Sequence, residues 1–256
     1  GRTNVEVTEP FWFRDEFRED STGRYPYLPF TKYLTKVDET VDGKLVYTAN
    51  QSGWAPERMP YFWRSLCSLR EIGDNTTISM DVSCSLYSIS PVMGFVFSNN
   101  TSEGSTGEIS GKPFFIQSSS HLKTPNGNIS ITPTFVDNEV FTLIMRKTTG
   151  NLWTFSYRRD GGDEIIVLSD YEIDPDIYPY LTFGGRMYYG VEGATVSFDN
   201  LQISGTRIRG AFWFRDEFRE DSRGRYIRKS SEGMTSSHYK IEDGYFKITR
   251  PDSSMS

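Results

Sequence analysis

The chain has 256 residues, a formal net charge of −6, and 36% hydrophobic and 15% aromatic residues. That supplies a sizeable core, while the acidic balance excludes the basic face on which nucleic-acid binding depends. No apolar run approaches the roughly 18 residues of a helical membrane span, and the aromatic-, glycine- and turn-rich composition points to an all-β protein.

In chain order, residues 1–10 read as a polar linker, with no secretory leader at Gly1; a mature or excised chain would also lack one. The phrase FWFRDEFREDSTGRY follows, from Phe11 to Tyr25, and reads as a strand with a charged tail. It returns as FWFRDEFREDSRGRY from Phe212 to Tyr226, changed only where Thr22 becomes Arg223. The match continues without a gap, since Asp42-Gly43 in VDGKLVY aligns with Asp243-Gly244 in EDGYFKI. A repeat of about 200 residues is a unit of architecture. Residues 11–210 form one full unit, and 211–256 open the next, docked on a neighbour or belonging to a longer tandem protein.

Within the first unit, short strand-like runs alternate with turn clusters. They are KLVYTA (from Lys44), YFWRSLCSL (Tyr61), TISMDVSCSL (Thr77), VMGFVFS (Val92), KPFFIQS (Lys112) and ISITPTFV (Ile129). VFTLIMRK (Val140), LWTFSYRR (Leu152), EIIVLSD (Glu164), YLTFGGRMYY (Tyr180) and ATVSFDNLQIS (Ala194) complete the set. RRDGGDE is a hairpin turn. In ATVSFDNLQIS, the alternation of Val196, Phe198, Leu201 and Ile203 breaks at Asp199-Asn200, which predicts a bulge. No helical period persists beyond two turns. Many short strands with frequent turns make a β-sandwich.

Five of the ten asparagines, Asn50, Asn75, Asn99, Asn100 and Asn128, begin an Asn-x-Ser/Thr sequon, more than the Ser/Thr content alone predicts. The two cysteines, Cys67 and Cys84, either bridge neighbouring strands or stay as buried thiols. Taken with the sequons, a disulfide and a secreted glycoprotein are the expectation. Trp54, Trp63 and Trp153, with Tyr61 and Phe62, are candidates for a sugar-stacking platform, although core packing is the commoner use of such residues. His121 and His238 lie in different repeat units without a nucleophile signature and read as surface residues.

FRDEF at the opening, VDGKLVY as an early hairpin and VSFDNLQISG at the close resemble the concanavalin A-like lectin/glucanase superfamily. The resemblance implies a two-sheet antiparallel jelly-roll β-sandwich, followed here by the opening strands of a second repeat. It also implies a structural calcium held by an acidic residue near the first strand, Asp15 or Glu16, and by Asp199 in the closing strand. YEIDPDI, Tyr171 to Ile177, resembles the ExDxxE signature of family 16 glycoside hydrolases. Glu172 and Asp174 match, but Pro175-Asp176 stand where a strand should continue to a glutamate, so the segment reads as an acidic loop and the chain as no enzyme.

Core burial does not account for the repetition of Arg14, Asp15, Glu16, Arg18 and Glu19 as Arg215, Asp216, Glu217, Arg219 and Glu220. A junction made identically by successive units does, and an open head-to-tail junction grows into a filament. The expected function is therefore a non-catalytic extracellular structural glycoprotein whose partners are copies of itself. The alternative is a carbohydrate-binding lectin-like module of a secreted protein.

Overall fold

A computed structural model of the chain describes residues 5–15, 34–41, 43–49, 61–103, 109–187, 191–209, 239–242 and 245–248. Its contacts divide the chain into two units, Gly1–Ala211 and Phe212–Ser256. Among the described residues, fourteen strands belong to the first. They are β1 (Val5–Asp15), β2 (Leu34–Val41), β3 (Lys44–Ala49), β4 (Tyr61–Ser68), β5 (Thr76–Cys84), β6 (Pro91–Glu103) and β7 (Ile109–Gln117). Then come β8 (His121–Thr124), β9 (Gly127–Ser130), β10 (Phe141–Lys147), β11 (Leu152–Arg159), β12 (Ile165–Glu172), β13 (Tyr180–Met187) and β14 (Thr195–Arg209). The described residues contain no helix long and apolar enough to cross a membrane.

The strands form two antiparallel sheets. The larger runs β12-β11-β10-β5-β14-β3-β2, with β1 also paired to β14. The smaller runs β4-β13-β6-β7-β8-β9. Alternation decides which side of each strand is buried. β5 buries every second residue from Thr76 to Cys84, and β3 buries Leu45, Tyr47 and Ala49. The two inner faces meet through aromatic rings. Tyr47 of β3 stacks on Phe62 of β4 at 3.9 Å, Trp153 of β11 meets Phe97 of β6 edge-on at 5.0 Å, and Phe198 of β14 meets Phe183 of β13 at 5.8 Å. A charged side chain also enters this interior: Arg64 Nε donates to the Tyr47 hydroxyl at 2.8 Å, giving a buried guanidinium a polar contact.

β14 ties the larger sheet together, pairing with β3 through Thr195–Phe198, with β5 through Val196–Ser204 and with β1 through Leu201–Arg209. β1 begins at Val5, opposite Arg209, so part of the stretch read as a linker is strand. In the smaller sheet Gly184 has φ +141°, and a Cβ there would fall 1.9 Å from the Phe62 carbonyl oxygen, so only glycine fits. ISITPTFV is a strand only to Ser130; Pro133 follows in a non-strand segment that returns Ile131 and Phe135 to the core.

The second unit contains a hairpin, β15 (Tyr239–Glu242) and β16 (Tyr245–Ile248). It closes by pairing Glu242 with Tyr245, as the β2–β3 hairpin closes by pairing Val41 with Lys44. These positions are equivalent in the repeat, so the copied sequence adopts the same hairpin.

The expected disulfide does not form: Cys67 and Cys84 are both free thiols. Cys67 lies near Glu71 and Arg207, at the end of the sandwich where Thr77 pairs with Ser204. Cys84 closes the opposite end of β5, seven residues or roughly 23 Å along the strand. A bridge needs Cα atoms within about 7 Å. Burial pushes the Cys84 thiol up to about 12 and raises Cys67 as well, so neither supplies thiolate at neutral pH. Both thiols should therefore react slowly with a thiol reagent at pH 8 in the native chain and promptly after denaturation. Intact mass should not change on reduction; a gain of two hydrogens would show a bridge.

Candidate functional site

The alternation that turns apolar residues inward on the larger sheet turns a polar set outward. Lys44, Asp81, Val82, Ser83, Val140, Ser197 and Asp199 line an open cleft of about 120 Å³. Its centre is a pair of carboxylates, for Asp81 on β5 lies directly opposite Asp199 on β14. Facing like charges destabilise a strand pair unless donors offset them. Here the Thr142 hydroxyl donates to Asp81 Oδ1 at 2.6 Å, and Asn200 Nδ2 donates to Asp81 Oδ2 at 2.7 Å. The Ser83 and Ser197 hydroxyls bond to each other at 2.6 Å, and Lys44 supplies a positive charge at the margin.

The bulge predicted at Asp199-Asn200 builds this arrangement. The β5–β14 register slips between Asp199 and Gln202, and Asn200 takes φ 48°, a left-handed conformation that asparagine tolerates better than most residues. Asp199 Oδ1 accepts the Asn200 backbone N–H at 2.7 Å, which fixes the kink and leaves the Asn200 amide aimed across at Asp81. Asp81 was missed in the sequence reading. Its signal was present, because Ser79, Asp81 and Ser83 occupy the outward positions of an alternating strand.

Beside the cleft, a second polar group ties β10 and β11 to the β11–β12 turn. Arg146 engages Glu164 through both nitrogens, with Nη2 donating to Oε2 at 2.8 Å. The Ser156 hydroxyl adds a bond at 2.5 Å, and Arg158 a longer one at 3.4 Å. Chiefly the Arg146 hydrogen bond holds the Glu164 carboxyl down to about 2.

The other expected site residues scatter. β1 and β14 lie side by side as the calcium reading requires, with Asp15 opposite Leu201; Glu16 lies outside the described residues. Among the described residues no three His, Cys, Asp or Glu side chains cluster as metal ligands. Neither described tryptophan of the expected platform faces water. Trp153 is in the core, and Trp63, only 3% exposed, packs with Val92, Val96 and Phe115 on the outer side of the smaller sheet. Trp54 lies outside the described residues. Asn75, Asn99 and Asn128 are exposed; Asn50 and the Asn100 side chain are outside the description. Arg14 is opposite Gln202 in the β1–β14 ladder, whereas Arg18, Glu19, Arg215, Asp216, Glu217, Arg219 and Glu220 fall outside the described residues. His121, half-buried, contacts the hydroxyls of Ser118 and Ser120; His238 is outside. Glu172 ends β12, and Asp174 and Asp176 sit in the turn beyond it, Asp176 bonded to Arg70 at 2.5 Å, so YEIDPDI forms no carboxylate pair on one strand.

No protein-family model matches the chain, and no curated protein matches it. Solved structures do. Peanut lectin with a nine-residue peptide aligns over 81% of this chain and 99% of its own, at 10% identity and a TM-score of 0.50. The lectin UEA-II complexed with galactose aligns over 75% of this chain and 97% of its own, also at 10% identity and 0.50. The shared feature is the fold: this chain is a two-sheet antiparallel β-sandwich like that of these lectins.

The Glu164 contacts have a pH signature. Because the folded carboxyl titrates near 2 against 4.5 ordinarily, its contribution to stability is complete above about pH 5 and is lost as pH falls through 2. The stability difference between the native chain and Glu164→Gln, measured by denaturant unfolding, should be constant from pH 7 to 5 and shrink between 4.5 and 2.

Proposed function

We propose that this chain is a secreted, non-catalytic carbohydrate-binding module of lectin-like fold, taking one sugar unit against the cleft between Asp81 and Asp199. The observation that carries this reading is the chemistry of the cleft. A sugar offers adjacent hydroxyls that donate and accept at fixed spacing. The cleft offers carboxylate oxygens as strong acceptors, the Ser83 and Ser197 hydroxyls as either, and Lys44 as donor. Thr142 and Asn200 hold Asp81 in place before a ligand arrives, so little rotamer entropy remains to be lost on binding. A carboxylate held by two donors suits orientation of a hydroxyl better than proton transfer to a leaving group, which favours binding over hydrolysis. A volume of about 120 Å³ suits one sugar unit rather than a buried chain.

One fold neighbour is a lectin complexed with galactose, so galactose is the first ligand to try. Titration of the chain with galactose, glucose and N-acetylglucosamine, followed by calorimetry, should show binding to at least one. Asp81→Asn should weaken it by ten-fold or more without altering the fold. No binding to any of the three, or binding indifferent to Asp81→Asn, would overturn this assignment. Parallel titrations in calcium and in EDTA test the ion expected at Asp15, Glu16 and Asp199.

The exposure of Asn75, Asn99 and Asn128 supports secretion and glycosylation. Protein from a secreting eukaryotic host should lose mass on treatment with an N-glycan-removing enzyme. Head-to-tail assembly is a second reading, favoured by the β15–β16 hairpin repeating β2–β3. Electron micrographs of the full chain at high concentration should contain filaments under that reading, and monomers alone would sink it.

A further inference from the structure

Strand β12 is the outer strand of the larger sheet, paired with β11 on one side and with no other described strand. An unpaired strand edge presents a row of N–H and C=O groups to any chain that can lie alongside. Two further features mark this edge. Ile165 and Ile166 are 46% and 60% exposed, among the few large apolar side chains left in water. Since Ile166 is opposite Ser156 and Ile165 opposite Tyr157, the edge shows one isoleucine on each face of the sheet. Around them, Asp163, Asp170 and Glu172 are exposed carboxylates with no ion pair or hydrogen bond among the described residues. The nearby cations Arg146 and Arg158 are spent on Glu164, and Lys112 lies over the Tyr171 ring.

The spacing of these acids decides which occupant fits. An antiparallel second copy centred near Val167 or Leu168 would bring the Asp163 end of each strand alongside the Asp170–Glu172 end of the other. The β11–β12 register slips twice and Asp170 takes φ 52°, so the clash is between acidic ends rather than between fixed facing pairs. A parallel in-register pair would set Asp170 and Glu172 against themselves. Like charges directly opposite are destabilising, so the edge repels its own copy while remaining open to a strand of opposite charge.

We propose that β12 is a docking strand for an extended segment of a partner protein in which apolar and basic residues alternate, added antiparallel to the larger sheet. The partner backbone takes up the free ladder groups, its apolar side chains cover Ile165 and Ile166, and its lysines or arginines meet Asp163, Asp170 and Glu172. This surface is separate from the Asp81–Asp199 cleft and does not depend on the carbohydrate reading.

The test uses the full chain and three labelled ten-residue probes, followed by fluorescence anisotropy. The first alternates valine and lysine, the second alternates valine and glutamate, and the third is the lysine peptide N-methylated at alternate amides. The lysine peptide should bind, and more weakly as salt rises. The glutamate peptide should not bind, and N-methylation should weaken binding at least ten-fold because it removes ladder donors but no charge. Glu172→Lys with Asp163→Lys, both at exposed positions of ordinary backbone, should weaken the lysine peptide at least ten-fold with an unchanged thermal midpoint. Absence of lysine-peptide binding would overturn the proposal. So would equal binding of the N-methylated probe, which would mean charge adsorption without strand addition, or binding indifferent to the double substitution.

Discussion

The larger sheet depends on one strand with three partners. β14 binds β5 and β3 along its first half and β5 and β1 further along, so strands from the two ends of the unit are held by one ladder. Sequence-distant pairings of this kind carry a large closure entropy before they return any stabilisation. The return comes from the inner face of the same strand, where Val196, Phe198, Leu201 and Ile203 are all fully buried. Its outer face positions the site, because the kink at Asn200 that keeps those four residues inward also turns an amide towards Asp81.

The aromatic content bears on function through where it is used. Tyr47, Phe62, Phe97, Trp153, Phe183 and Phe198 interlock the two sheets, and Trp63 is buried on the outer side of the smaller one. Sugar recognition by stacking needs an aromatic face in water, and neither described tryptophan has one. A polar cleft of carboxylates and hydroxyls is what the larger sheet offers instead. Recognition through it would be directional and enthalpic, with specificity set by which ring hydroxyls reach Asp81 and Asp199 together.

Much of the architecture was legible in the sequence. Ten of the eleven quoted runs fall largely on strands, because two-residue alternation survives wherever one face is buried. The bulge at Asp199-Asn200 was legible for the same reason, as a break in that alternation. ISITPTFV failed because Ile131 and Phe135 are core residues reached from a loop, and apolar content alone does not distinguish the two. The site was harder. Asp81 and Asp199 are 118 positions apart, and only strand order makes them neighbours. Cys67 and Cys84 look close along the chain, yet β4 and β5 belong to different sheets. Trp63 and Trp153 carried no signal of burial, since aromatic residues serve cores and platforms alike.

The kink in β14 also acts as a parity element. Phe198 and Leu201 are three residues apart yet face the same way, because one extra residue is absorbed between them. Removing Asn200 alone would restore strict alternation with Phe198, Leu201 and Ile203 still inward, but without the kink or the amide that reaches Asp81. Flattening the kink with Asn200 retained would instead turn Leu201 and Ile203 to water, and Gln202 and Ser204 to the interior. The reading frame of the sheet, in the sense of which residues count as inside, is thus written by a single left-handed asparagine. Away from Asn200, insertions and deletions in this strand should be tolerated in pairs far more readily than singly.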